Sequence, residues 1–299
     1  MSILKDNVNE GPEHLRAMIK RRCISIPGVF NGISAEIAER HGFEAVYLSG
    51  SGIAGAEGLP DLSLTTLTEV AEKTAEIASV TKLPIVVDVD TGFGETLNVM
   101  RTVRAMERAG ASAIHIEDQE LPKKCGQLSG KKLVAEEEMV NKIRAAVEAR
   151  KNESFIIIAR TDSRALEGID GAVRRAKIYL EAGADAIFPE ALESKPEFEK
   201  FAKAVKAPLM ANMTEFGKSP LLTVKELDSM GYRMVIFPLT AFRASLRAMD
   251  SAYGELKRAG TQKSFVKNLM TREDFYKLIG YYEYEKEDSH IYKYKKAPK

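Results

Sequence analysis

Lys123-Lys124-Cys125-Gly126-Gln127 concentrates more reactive side chains than any other short stretch of this chain. It lies in a segment that leaves a short apolar run, Ile114-His-Ile-Glu117-Asp118, breaks at Pro122, and continues to Leu133 with two glycines and four lysines. A thiol among ammonium groups is the setting in which a thiolate is stabilised and can act as acid, base or nucleophile. Glycines let a backbone bend closely around a ligand. The expectation is a catalytic lid, with Cys125 as its reactive group and Lys123 beside it. Taken singly, a cysteine also reads as a small buried residue and a lysine run as a solvated face. The other polar residues have to decide.

Those residues fall at the ends of short apolar runs: Ser49-Gly50-Ser51-Gly52, Asp88-Val89-Asp90, Glu117-Asp118, Arg160-Thr161-Asp162, Glu190 and Asn212-Met213-Thr214. Asp88 and Asp90 are two apart on an extended segment, so their side chains share a face. With Glu117 they crowd three negative charges together, which is costly unless a cation sits between them. The donors are hard oxygens, and no His or Cys pair has zinc spacing, so the expected ion is Mg2+ or Mn2+. Arg160 can grip a carboxylate with two parallel N–H groups. Ser49, Gly50 and Ser51 offer N–H and hydroxyl donors to the same kind of anion. Alone, Ser-Gly-Ser-Gly reads as an ordinary turn, and Glu117 as a helix cap or a lysine's partner.

A repeat explains how such residues could meet. Arg40–Ser49, Arg108–Glu117, Glu181–Glu190 and Ser229–Pro238 each combine a helix end, a glycine suited to a left-handed C-cap (Gly42, Gly110, Gly183, Gly231) and an apolar strand. Between them lie Leu83–Asp88, Phe155–Arg160 and Ala207–Asn212, and Cys23–Pro27 leads the series. Strands this apolar are buried on both faces, which calls for a parallel sheet with helices outside it. Eight such units match an α/β fold of the (β/α)8 TIM-barrel type, with an N-terminal helix and a C-terminal helical extension. An open doubly wound sheet competes, but its dinucleotide-binding turn Gly-x-Gly-x-x-Gly is missing after the first strand. The expected organisation is one domain over 1–299: an N-terminal helix to residue 22, the barrel over 23–260, and a helix and aromatic tail over 261–299. In such barrels the chemistry sits at the carboxyl ends of the strands, where all six polar clusters fall.

The totals narrow the partners. A chain of 299 residues that is 44% hydrophobic has ample material for one large core. A net charge of +1 gives no electrostatic case for nucleic acid or an acidic membrane surface. Two cysteines make no disulfide framework, and no apolar run approaches the roughly 20 residues needed to span a bilayer. A reducing, cytoplasmic setting is expected.

These segments resemble the isocitrate lyase/phosphoenolpyruvate mutase superfamily. The resemblance is carried by Tyr47-Leu-Ser-Gly-Ser-Gly, Gly58-Leu-Pro-Asp61, Val87-Asp-Val-Asp-Thr-Gly-Phe-Gly94, His115-Ile-Glu-Asp-Gln119, Lys123-Lys-Cys-Gly126 and Ala159-Arg-Thr-Asp162. Asn212-Met-Thr-Glu-Phe-Gly217, Pro238-Leu-Thr-Ala-Phe-Arg243 and Gly260-Thr-Gln-Lys263 are most similar to the branch that cleaves 2-methylisocitrate to pyruvate and succinate in propionate catabolism. The resemblance implies a magnesium site on Asp88, Asp90 and Glu117, and a pyruvate site on Ser49, Gly50, Ser51 and Arg160. It implies a succinate site on Glu190, Asn212, Met213, Thr214, Arg243 and Arg272. Cys125 and Gly126 would lie against the reacting carbons, with Cys125 as proton donor and Asp61, or else Tyr47, as base. Phe188 and Ile236 would wall the methyl pocket. The implied assembly is a homotetramer in which the last barrel helix is exchanged between subunits. One departure stands out: the lyases of this group read Cys-Gly-His where this chain has Gln127, and an amide cannot carry charge or exchange a proton. Phosphonate chemistry within the same superfamily, or an inactive binding homologue, are the alternative expectations.

Overall fold

Eight parallel strands form where the apolar runs predict them: β1 (Ile24–Val29), β2 (Val46–Leu48), β3 (Ile85–Asp88), β4 (Ala113–Glu117), β5 (Ile156–Thr161), β6 (Ala186–Pro189), β7 (Met210–Asn212) and β8 (Met234–Phe237). This computed structural model describes residues 11–294. The first ten residues of the predicted N-terminal segment and the last five of the tail lie outside the described residues. Strand order is β6-β5-β4-β3-β2-β1-β8-β7, and a parallel bridge between Ile187 and Leu209 brings the two ends of the sheet together. The result is a (β/α)8 barrel. Gly110 and Gly231 stop their helices with φ of 93° and 103°, a region a side chain disfavours, and the chain turns straight into the next strand.

Strand alternation sorts the core into two layers. Inside the barrel lie Ile24, Ile26, Tyr47, Val86, Ala113, Ile156, Ile158, Phe188, Met210, Met234 and Ile236. The same cluster holds Leu15, Met18 and Ile19 of the helix Gly11–Arg21. Their i, i+3, i+4 spacing puts them on one face, and that face stoppers the amino-terminal end of the barrel. Each such side chain contributes about 1.5–3 kcal/mol by leaving water. The second layer, between strands and outer helices, contains Val46, Leu48, Val87, Ile114, Ile116 and Ile157 against residues such as Val70, Ile77 and Val103. Every residue of β3, β4 and β5 is buried, as a sheet covered on both faces requires.

Three elements differ from the sequence reading. Gly50–Ala56 is a helix rather than a bare turn. The apolar spacing predicts a helix over 171–182; the observed helix, Arg164–Glu181, starts earlier and kinks at Gly168, whose φ is 71°. Tyr281–Tyr294 is helical throughout. The chain divides into two compact units, with the boundary after Phe242, inside the helix Thr240–Ala259. In the second unit, Tyr276 stacks on Tyr281 with ring centroids 4.4 Å apart. Among the described residues no helix is long and apolar enough to cross a membrane.

Candidate active site

The polar strand ends of the barrel join into one network at its carboxyl-terminal mouth. On β3, Asp88 is oriented by three donors: the Gly50 N–H at 3.2 Å, the Asp90 N–H at 3.1 Å and the Tyr47 hydroxyl at 3.4 Å. Gly50 heads the helix Gly50–Ala56, with Ser49 buried at its cap and Ser51 half-buried. His115 of β4 stands 2.8 Å from the Tyr47 hydroxyl and meets the edge of Phe188. Burial pushes His115 down to about 4, so it is neutral at pH 7. Burial also opposes ionisation of Asp88, yet the positive groups facing it outweigh that and hold it at about 2. His115, once protonated, is the first of these, followed by Lys123 and Arg160; at pH 7, with His115 neutral, the latter two keep Asp88 ionised. Tyr47 is raised well above the ordinary phenol range, by burial first and then by Asp88. It is therefore a hydrogen-bond donor here rather than the base the sequence offered.

Asp90 takes a φ of 46°, a left-handed conformation that aspartate tolerates better than most residues. Its Oδ1 lies 2.9 Å from Lys123 Nζ, which also contacts Asp61. Burial raises Asp90 and raises Glu117 well above the usual carboxylate range. Glu117 Oε2 is 3.2 Å from Arg160 Nη2, but neither Glu117 oxygen nor Asp90 Oδ1 has a partner in hydrogen-bonding geometry. Buried carboxylate oxygens with lone pairs left over are hard donors that fit a divalent ion such as Mg2+. Among the described residues no three such groups form a finished cage. The room between Asp61 and Asp90 is taken by the Lys123 ammonium, which those carboxylates and Glu117 keep firmly charged despite burial. The crowded negative charge read from the sequence is thus balanced from within the chain.

Arg160, on β5, lies over the Phe188 ring at 5.2 Å and is aimed by Asp162, which accepts from its Nε at 2.9 Å and its Nη2 at 3.2 Å. Glu190 follows β6, 3.9 Å from Arg160 and 3.2 Å from Asn212 Nδ2. Thr214 is buried just beyond β7. Met213 departs from its predicted role: its side chain belongs to the outer core layer, where its sulfur accepts from the Leu222 N–H. The alternation of β7 carries one residue past Asn212, where the Met213 N–H still pairs with Ile236 O, and turns its side chain away from its neighbours. Phe188 and Ile236 lie in the packed interior of the barrel. Arg243 is half-buried and Arg272 exposed, and both belong to the C-terminal unit.

The thiol-bearing loop is held at its base and seated inward at its tip. Glu120 N–H donates to Lys132 O, Val134 N–H donates to Asp118 O, and Gln119 clasps the Lys124 backbone from both sides. Beneath it, buried Asp118 accepts from Thr161, Tyr179 and the Asp162 N–H. At the tip Gly126 is buried so tightly that a Cβ there would overlap the Arg160 guanidinium and the Glu190 side chain. Gln127 donates to Glu190 and accepts from the Lys218 N–H at 2.8 Å, which fastens the tip. Burial raises the Cys125 thiol, with Asp61 and Glu190 adding to it. The sequence suggests a thiolate among lysines; the structure turns Lys123 to the aspartates and Lys131 to Asp162, leaving the thiol protonated. Lys131 and the bridging role of Asp162 were missed, because no local pattern marks a lysine that pairs with a residue 31 positions away.

The family model described as phosphoenolpyruvate phosphomutase matches residues 15–257. The 2-methylisocitrate lyase of Aeropyrum pernix is 56% identical over 278 residues, covering 93% of this chain and 90% of that protein. The 2-methylisocitrate lyase of Bacillus subtilis is 47% identical over 270 residues, covering 90% of this chain and 89% of that one. A solved structure of phosphonopyruvate hydrolase, in complex with oxalate and Mg2+, aligns with a TM-score of 0.85 at 31% identity, covering 93% of this chain and 98% of that one.

Proposed function

The chain belongs to the phosphoenolpyruvate phosphomutase family, and from that membership and the site geometry we propose that it is a carbon–carbon lyase cleaving 2-methylisocitrate to pyruvate and succinate. One observation carries the reaction class: a protonated thiol on a loop closed against Arg160 and Glu190, at the mouth where Asp88, Asp90 and Glu117 converge. Arg160, with donors from Ser49 and Ser51, takes the carboxylate of the pyruvate half, while the Gly50 N–H holds Asp88. Asp61 is the base for the substrate hydroxyl proton. As the C2–C3 bond breaks, its electron pair stays on the succinate half, and Asn212, Thr214 and Gln127 donate to the charge that develops there. Cys125 then delivers its proton to that carbon. The seated loop keeps water away until this transfer is done. Asp88, Asp90 and Glu117 are the residues that would hold Mg2+, or Mn2+, whose chemistry is Lewis-acid polarisation of a hydroxyl and carboxylate. Phe188 and Ile236 give the methyl group an apolar wall, and discrimination against isocitrate is limited to the roughly 1–3 kcal/mol that one methyl-sized difference supplies.

The test is a turnover assay with 2-methylisocitrate, isocitrate and phosphonopyruvate side by side, with Mg2+ or with EDTA. Pyruvate and succinate should form fastest from 2-methylisocitrate, and EDTA should abolish the reaction until Mg2+ is restored. Turnover that survives EDTA would remove the metal assignment, and preference for phosphonopyruvate would move the chain to phosphonate chemistry. Tight binding without any turnover would make it an inactive homologue. Gln127 does not by itself argue for that reading, since its hydrogen bonds fasten the loop and need no proton exchange.

The C-terminal unit supports a homotetramer built by exchange of helices. The helix Thr240–Ala259 carries Leu246, Met249, Tyr253 and Leu256 along one stripe, all exposed. Such a stripe calls for a partner surface. Light scattering on the purified protein should give a particle of four chains; a monomer at micromolar concentration would end this part of the proposal. Free Cys23 and Cys125 suit a reducing, cytoplasmic compartment.

A further inference from the structure

Lys131 is buried at the base of the barrel mouth, although a lysine in a surface loop normally keeps its ammonium in water. Its Nζ donates to Asp162 Oδ1 at 2.8 Å and to the carbonyl oxygen of Gly126. The side chains of both members of the pair are essentially inaccessible, 1% and 0% exposed. Asp162 is the same carboxylate that holds the Arg160 fork through two hydrogen bonds. One chain of contacts therefore runs from the loop tip, through Lys131 and Asp162, to the guanidinium that grips substrate.

We infer that Lys131 is a positioning residue: it latches the Cys125–Gly126 tip in its seated state and couples that state to the aim of Arg160. A buried ammonium is tolerable only when paired and hydrogen-bonded, and Asp162 and the Gly126 carbonyl, which take two of its three N–H donors, supply this only while the loop is seated. When the loop lifts, Lys131 returns to water and Asp162 retains Arg160 alone. The pairing thus favours the seated state selectively, which is what a conformational equilibrium requires of anything that shifts it. The inference rests on the lyase reading for its kinetic consequence, but not for its structural one.

The test uses the full-length protein, the variants Lys131→Met and Lys131→Arg, and two readouts. The first is the rate at which iodoacetamide labels Cys125, followed by peptide mass spectrometry without any substrate. Cys23, which is buried in the core layer and whose thiol burial pushes up to about 12, serves as the internal control. In Lys131→Met, Cys125 should label about tenfold faster while Cys23 stays protected, and Lys131→Arg should recover at least half of the difference. The second readout is steady-state kinetics: kcat should fall about tenfold or more in Lys131→Met, with KM changing less than kcat. Unchanged Cys125 labelling in Lys131→Met would overturn the latch. So would equal acceleration at Cys23, which would mean general loosening, or a Lys131→Arg variant as impaired as Lys131→Met. Because labelling needs no substrate, failure of the lyase reading would leave this arm standing, and the two failures can be told apart.

Discussion

Replacing Cys125 with serine is expected to lower turnover of 2-methylisocitrate by about 10²–10⁴-fold, the range a positioned general acid commands. Burial, with Asp61 and Glu190 nearby, raises the thiol, so Cys125 is protonated at neutral pH and carries the proton that the carbon receives. A serine hydroxyl fits the same space but gives up its proton far less readily. The loss should appear in kcat, with little change in KM, because the thiol acts after the substrate is seated. The pH profile supplies a second check. Activity in the cleavage direction should hold through neutral pH and fall only above the ordinary thiol range of about 8.5, as the proton is lost. Stopped assays of pyruvate release across pH measure both. A serine variant with wild-type kcat would show that the proton comes from elsewhere.

Gly126→Ala should be nearly as damaging, and for a different reason. Unlike Gly110 or Gly231, Gly126 does not need glycine for its backbone conformation; it needs the absence of a side chain. One methyl group there would overlap the Arg160 guanidinium and the Glu190 side chain. The loop tip must lift or the fork must turn, and a displacement near 1 Å at a reacting centre can cost about 10²-fold. The loop is at the rim and contributes little core, so thermal stability should stay within a few degrees of wild type. Turnover and thermal melting of the same preparation separate the two effects. Full activity in Gly126→Ala would mean that the seated loop is not the reacting state.

Much of this was legible from the chain alone, for identifiable reasons. A capping glycine followed by an apolar run specifies a helix stop and a buried strand, so Arg108–Glu117 and its three counterparts announced themselves. The carboxylates at strand ends were legible because alternation fixes which side chains share a face. What failed was anything decided by packing. Gly50–Ala56 is rich in glycine, a poor helix former, and is helical through its tertiary setting. The sense of the Cys125 shift was misjudged because nearness in sequence to lysines does not say where their ammonium groups point. Burial, with Asp61 and Glu190 beside the thiol, decided it instead. Met213 was grouped with its neighbours by position, and strand alternation turned it into the core.

The helix Gly11–Arg21 has a consequence for traffic through the enzyme. With Leu15, Met18 and Ile19 packed into the interior at one end of the barrel, the described residues leave the opposite, carboxyl-terminal mouth under the thiol loop as the way to the site. Where opening of the mouth is slower than bond cleavage, it sets the turnover.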